Sequence, residues 1–150
     1  MNKDPLRLSQ VEALPNQRLR LAFEDGFTAT VDLRDWITNT KALSALRDPA
    51  IFNQARLGEF GTGVIFIEDE LDLGADNLRN LAVEQSGGIG HERLVEWQYR
   101  NGLTQAKAAE AIGISRRMLN YYLSGERPIT RTVWLACLGW EAQRKHQAAA

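Results

Sequence analysis

The stretch "LTQAKAAEAIGISRRMLNYYLSGERPIT", Leu103 to Thr130, restricts the fold more than any other part of the chain. Thr104 precedes one short helical run and Ser115 another, and a hydroxyl residue in that position accepts a bond from an otherwise unpartnered N–H of the first turn. Gly113 follows the first run and Gly125 the second, where glycine closes a helix in a conformation other residues resist. Two helices joined by so short a turn cross steeply and need a small side chain where they meet, which Ala109 supplies. Ala108, Ile112, Ile114, Leu119 and Tyr122 then fall on the inner faces, and Arg116, Arg117, Asn120 and Tyr121 face outward. The polar face is the working face.

With Gln105 opening the first helix, Ala109 four residues on, Gly113 four beyond that, Leu119 and Tyr122 in the second helix and "LSGERP" as its exit, the region resembles the helix-turn-helix of the phage-repressor (Cro and XRE) family over about residues 91–145. That resemblance implies that residues 115–124 form a recognition helix lying in the major groove of double-stranded DNA, with Ser115 at its start. Arg116 and Arg117 are the implied base readers, because a guanidinium can bond O6 and N7 of guanine together, and Asn120 or Tyr121 would extend the reading. Thr104 and Gln105 would meet phosphate at the other helix's N-terminus, where exposed N–H groups favour an anion, and Arg127 is a further phosphate candidate. Many family members carry amides at the positions of Arg116 and Arg117, so the preferred bases do not transfer.

The chain changes character at "SGGIG", Ser86 to Gly90. Residues 1–89 hold 9 Lys/Arg against 14 Asp/Glu, whereas residues 90–150 hold 9 against 5, so the near-neutral whole joins an acidic half to a basic one. A glycine-rich run at such a change reads as a linker. The expected division is an α+β domain at 1–86, a linker at 87–90 and an all-α helix-turn-helix domain at 91–150.

In the acidic half, "QRLRLAF" and "FTATVDL" alternate apolar and polar residues around "EDG", which predicts a hairpin with Asp25 and Gly26 supplying positive φ angles. "RLSQVEAL" reads as a preceding strand and "GTGVIFIEDELDL" as another, with Val64 to Ile67 buried on both faces. Between them "DWITNTKALSALRDPAIFNQA" has helical spacing, with Leu43, Leu46 and Phe52 as core candidates and Pro49 as a break. A last short helix, capped by Asp76, carries Leu78 and Leu81. "FEDGFTATVDL" followed by the "AL-DP-IF" spacing resembles a small, strand-rich bacterial family of unknown function over roughly residues 5–85, and no activity comes with that likeness.

The final helix, "RTVWLACLGWEAQRKH", carries Val133, Cys137 and Trp140 on one stripe and Trp134 and Leu138 on an adjacent one. One stripe closes the helical domain; the other is available to the acidic domain or to a second subunit, and the expectation is a homodimer, since half-site readers are two-fold symmetric.

Catalytic readings find little. The acidic stretch "EDELDLGAD" lacks calcium-loop spacing, so no metal is expected, and "GGIG" lacks the lysine and context of a phosphate loop, so no cofactor is expected. His91, His146 and the single Cys137 do not assemble a nucleophile with its base. With 44% hydrophobic and 25% charged residues, one cysteine and no long apolar run, the composition is that of a soluble cytoplasmic protein without a membrane segment. The reading is a non-enzymatic, sequence-specific transcriptional regulator whose acidic domain serves a protein partner, a small ligand or dimer contacts. The alternative is an antitoxin-like interaction module that also represses its own operon.

Overall fold

The computed structural model describes residues 3–149, which form two compact units, one ending at Ser86 and the next beginning at Gly87. The architecture is α+β, strand-rich first and helical second.

Strands β1 (Leu8–Leu14), β2 (Arg18–Phe23) and β3 (Thr28–Asp32) make an antiparallel meander in that order. Leu19, Leu21 and Phe23 of β2 point into the core while Arg20 points to solvent, the period-two alternation that fixes which face is buried. The β2–β3 turn corrects one expectation. Gly26 alone takes positive φ, 93°. Asp25 instead accepts a bond from the Phe27 N–H at 3.2 Å and ion-pairs with Arg79.

β4 (Arg56–Leu57), β5 (Gly63–Ile67) and β6 (Leu71–Gly74) form a second antiparallel sheet. The single strand expected over "GTGVIFIEDELDL" is therefore a hairpin, turned at Glu68–Glu70 with Asp69 at φ 62°. Val64 and Phe66 are buried, but Ile65 and Ile67 are only half-buried, so the apolar run does not mark burial on both faces.

The helical spacing after β3 resolves into α1 (Arg34–Asn39), a 3-10 stretch at Lys41–Arg47, and α2 (Pro49–Phe52). Pro49 starts a helix here and does not break one: it occupies the first turn, where its missing N–H costs nothing, and the Asp48 carboxylate accepts from the Ala50 N–H at 2.9 Å. Leu46 and Phe52 are buried as expected and Leu43 is half-buried. In α3 (Ala75–Gln85) the capping position belongs to Gly74, with Asp76 inside the first turn, which corrects the assignment of Asp76 as cap. Leu78 and Ala82 of α3 are fully buried. Arg79 of the same helix stacks on Phe23 and Phe27, its guanidinium carbon 4.9 and 4.3 Å from the ring centroids, and reaches Asp25 at 2.9 Å. One side chain thereby pins the helix to the hairpin turn.

The second unit is α4 (His91–Arg100), α5 (Gln105–Ile112), α6 (Arg116–Ser124) and α7 (Arg131–Ala149). Its core centres on Trp97, fully buried, whose indole N–H donates to the Cys137 carbonyl at 3.0 Å and whose ring meets Trp140 edge-on at 5.6 Å. Leu94, Ala108, Ala109, Leu119 and Ile129 complete it, and Ile89 packs on it from before α4. Of the expected α7 stripes, Val133, Cys137 and Trp140 do face this core. Trp134 joins them, with Arg93 over its ring, whereas Leu135 and Leu138 stay 53% and 39% exposed. Arg100 grips Glu141 with two bonds, at 2.8 and 3.0 Å, and the Asn101 amide adds a third at 2.7 Å. Those bonds, Arg100 first, hold the Glu141 carboxyl down at about 2.

Candidate nucleic-acid interface

The geometry around α6 is set by local capping. The Thr104 hydroxyl accepts from the Lys107 N–H at 3.2 Å and starts α5. Gly113 ends α5 at φ 75°, and the Ile114 N–H turns back to the Ala109 carbonyl at 3.0 Å, which satisfies a carbonyl the helix end would leave open. The Ser115 hydroxyl accepts from the Met118 N–H at 3.1 Å and starts α6, and Gly125 ends it at φ 83°. Gly113, Ser115 and Gly125 thus fix how the chain leaves α5, where α6 begins and where it ends. Leu119 is then buried against Ala108 and Ala109, which turns Arg116, Arg117 and Asn120 outward.

Arg116, Arg117, Asn120 and Tyr121, with Ser124 and Glu126, line one shallow concavity of about 540 Å³. The side chains of Arg116 and Asn120 have no protein partner among the described residues. Arg117 is different: its Nε donates to the Tyr121 hydroxyl at 3.1 Å, and that bond, with the attraction of the same hydroxyl, raises its pKa above the ordinary arginine value. Arg127, from beyond Gly125, lies over the same ring, 4.6 Å from its centroid, with its backbone N–H bonded to the Tyr121 carbonyl at 3.2 Å. Tyr121 therefore holds two cations, Arg117 at 5.7 Å and Arg127 at 4.6 Å, along one helix face.

Thr104 and Gln105 are exposed at the start of α5 and do not line this concavity. Each capping hydroxyl, Thr104 and Ser115, accepts a backbone bond and keeps its own proton to donate. The sequence reading passed over Ser124 and Glu126, although Ser124 lies four residues after Asn120, the helical spacing that puts both on one face. It also left Tyr121 as a contact residue, where the structure makes it the support of two arginines.

Elsewhere the chemistry is sparse. Burial pushes the Cys137 thiol up to about 11, so it stays protonated at neutral pH. Among the described residues no group of three or more His, Cys, Asp or Glu could hold a metal ion, and no helix is long and apolar enough to cross a membrane.

Comparison with known proteins places the two halves separately. Residues 98–138 match the family described as Helix-turn-helix, a span that contains α5, α6 and the turn between them. Residues 8–84 match the family described as Protein of unknown function (DUF2442), which is half of the chain and nearly the whole first unit. The chain belongs to the DUF2442 family. A solved structure with both parts exists: the protein described as "Putative DNA Binding Protein NE0471 from Nitrosomonas europaea" is 41% identical and superposes with a TM-score of 0.82, over 96% of this chain and 92% of that one. No curated protein matches the chain. This DUF2442 chain therefore shares its fold with a solved relative over 96% of its length.

Proposed function

We propose that the protein is a transcriptional regulator that binds double-stranded DNA sequence-specifically, with α6 in the major groove. The observation that carries this reading is the outward face of α6, where Arg116, Arg117 and Asn120 stand together at the end of the helix that its serine cap fixes. Guanidinium and amide groups at the N-terminal part of a groove-bound helix are what base edges can be read by. The match of residues 98–138 to helix-turn-helix proteins supports the docking mode, and the description of the 41% identical relative supports DNA as the partner.

Within this reading Arg116 and Arg117 read guanine edges, Asn120 extends the contact, and Thr104, Gln105 and Ser115 meet phosphate with hydroxyl and amide groups at two helix N-termini. Arg127, held over Tyr121, supplies charge to the backbone beside the groove. The surplus of 9 basic over 5 acidic residues beyond residue 89 draws the module to a polyanion, and the acidic first 89 residues keep the rest of the chain away from it. The exposed Leu135 and Leu138 on α7 offer an apolar strip for a second copy, which would present two α6 helices to a two-fold operator.

Selection of duplexes from a random pool by the full-length protein tests the proposal. Enrichment of a motif with two-fold half-sites about one helical turn apart is the expected result. An unenriched pool, with weak binding that salt abolishes, would leave only phosphate-level attraction and refute it.

A further inference from the structure

The strand-rich unit contains a pocket that DNA binding leaves unexplained. It has a volume of about 600 Å³, in the range of sites that take small organic molecules. Its apolar lining is the buried Leu46 and Phe52 with the half-buried Ala13 and Leu14, while Pro15 and Pro49 border it from exposed positions. Its rim is polar, and three separate segments build it: Asn16 and Gln17 from the β1–β2 turn, Arg34 from the start of α1, and Arg47 and Asn53 from the ends of the 3-10 stretch and α2.

Three features of that rim point to a ligand. First, the side chains of Asn16, Gln17, Arg47 and Asn53 make no hydrogen bond or ion pair among the described residues, although all four border one cavity. Second, the charges do not cancel. Arg34 is neutralised by Asp32, with its Nη2 2.6 Å from the carboxylate, but among the described residues its Nη1 has no partner and Arg47 has no carboxylate partner. Third, Asn16 and Gln17 both hold left-handed backbone, φ 66° and 59°. Asparagine tolerates that conformation and glutamine does so less readily, so the turn carries strain at the residue whose amide sits on the rim.

An apolar floor with one uncompensated guanidinium and several free amide groups selects by both chemistries at once. A polyanion is disfavoured, because this half of the chain carries 14 acidic against 9 basic residues. A neutral apolar molecule would gain nothing from the rim groups, which would stay hydrated. We infer that this pocket binds a small organic anion with an apolar body, a hydrophobic carboxylate, whose carboxylate takes Arg47 and the free edge of Arg34 while its body lies on Leu46 and Phe52. The inference concerns the first unit alone and stands whether or not α6 reads DNA.

Titration calorimetry of the full-length protein with 2-naphthoate, with the neutral 2-naphthalenemethanol and with inorganic phosphate tests it. The expected result is that 2-naphthoate binds about tenfold or more tightly than either of the others, since only it satisfies floor and rim together. Arg47→Gln should remove that preference, by about tenfold, with an unchanged melting curve because its side chain is exposed and has no partner to lose. Amide shifts on adding 2-naphthoate should cluster in residues 13–17 and 46–53. Absence of 2-naphthoate binding, equal binding of the alcohol or of phosphate, undiminished binding by Arg47→Gln, or shifts confined to residues beyond 86 would each overturn the assignment.

Discussion

Tyr121 offers a sharp test of how the α6 face is organised, because two substitutions dissect its contacts. Tyr121→Phe keeps the ring under Arg117 and Arg127 and removes only the 3.1 Å bond from Arg117 Nε to the hydroxyl. Tyr121→Ala removes that bond and both ring contacts. The Arg127 contact, at 4.6 Å and near the surface, is worth about 0.5–1 kcal/mol. If these contacts pre-order the two guanidiniums for DNA, their loss is charged to binding: about two- to threefold for phenylalanine and about five- to tenfold for alanine. The slope of affinity against salt should not move, since neither change alters the number of cations that displace counterions. Arg127→Ala, by contrast, should lower that slope by about one. Anisotropy titrations of one duplex across a salt series, with circular dichroism melts as control, read all three. Equal affinity of Tyr121→Ala and the parent, with both folded, would refute the supporting role of the ring; a reduced salt slope would show that losing the ring takes a guanidinium off the phosphates altogether, against the pre-ordering account.

Two further predictions concern stability. Gly113 and Gly125 both have positive φ, but a Cβ at Gly113 meets open space whereas one at Gly125 would come 2.7 Å from His91 Nδ1. Gly113→Ala should therefore cost about 1 kcal/mol and Gly125→Ala about 2–3 kcal/mol, read as melting temperatures lower by about 4–8 °C per kcal/mol; equal losses would mean that the second contact is not made. Glu141 has a folded pKa of about 2 against an ordinary 4.5, so its pairing stabilises the helical unit above about pH 5 and that contribution fades as pH falls toward 2. Because Arg100 is 39% exposed, solvent reduces the contribution to about 1 kcal/mol, and Glu141→Gln should melt lower at pH 7 with the difference from the parent vanishing by about pH 2. A difference that persists undiminished in acid would contradict the assignment.

The parts of this fold that were legible in the sequence are those that a few adjacent residues decide. Thr104, Gly113, Ser115 and Gly125 each act on backbone groups within about one helical turn, so the limits of α5 and α6 could be read directly. The hairpin of β2 and β3 was legible for the same reason, since alternation and a glycine turn are local signals. Errors arose where two local solutions compete. A carboxylate beside a turn can tolerate positive φ or bond the backbone, and Asp25 does the second because Arg79, far along the chain, also claims it. Asp76 resembles a cap, yet the capping position lies two residues earlier, at Gly74, where a Cβ would come 2.6 Å from the Asp76 carboxylate, which would have to move. The β5–β6 hairpin was hidden because its turn uses Asp69 in the left-handed region instead of a glycine.

What no local signal carries is the meeting of distant residues. Arg127 lies beyond the glycine that ends α6, and only the folded exit loop brings it over Tyr121. The pocket beneath Arg47 needs a turn, a helix start and a helix end to converge, and its residues run from Ala13 to Asn53 with nothing periodic to mark them. Trp97, the centre of the helical core, was visible only as an apolar residue three places after Leu94; its bond to Cys137 depends on how α4 and α7 pack.

The central claim, that α6 reads bases through its arginines, is tested most directly by measuring the affinities of the parent, the Arg116→Ala/Arg117→Ala double variant and Arg127→Ala for a selected duplex and for a scrambled one of equal length. The account predicts that the double variant loses about tenfold or more in the ratio of specific to non-specific affinity, while Arg127→Ala weakens both duplexes alike and leaves the ratio unchanged. A double variant that weakens on both duplexes equally would show that Arg116 and Arg117 serve only the phosphate backbone, and the base-reading assignment would fall.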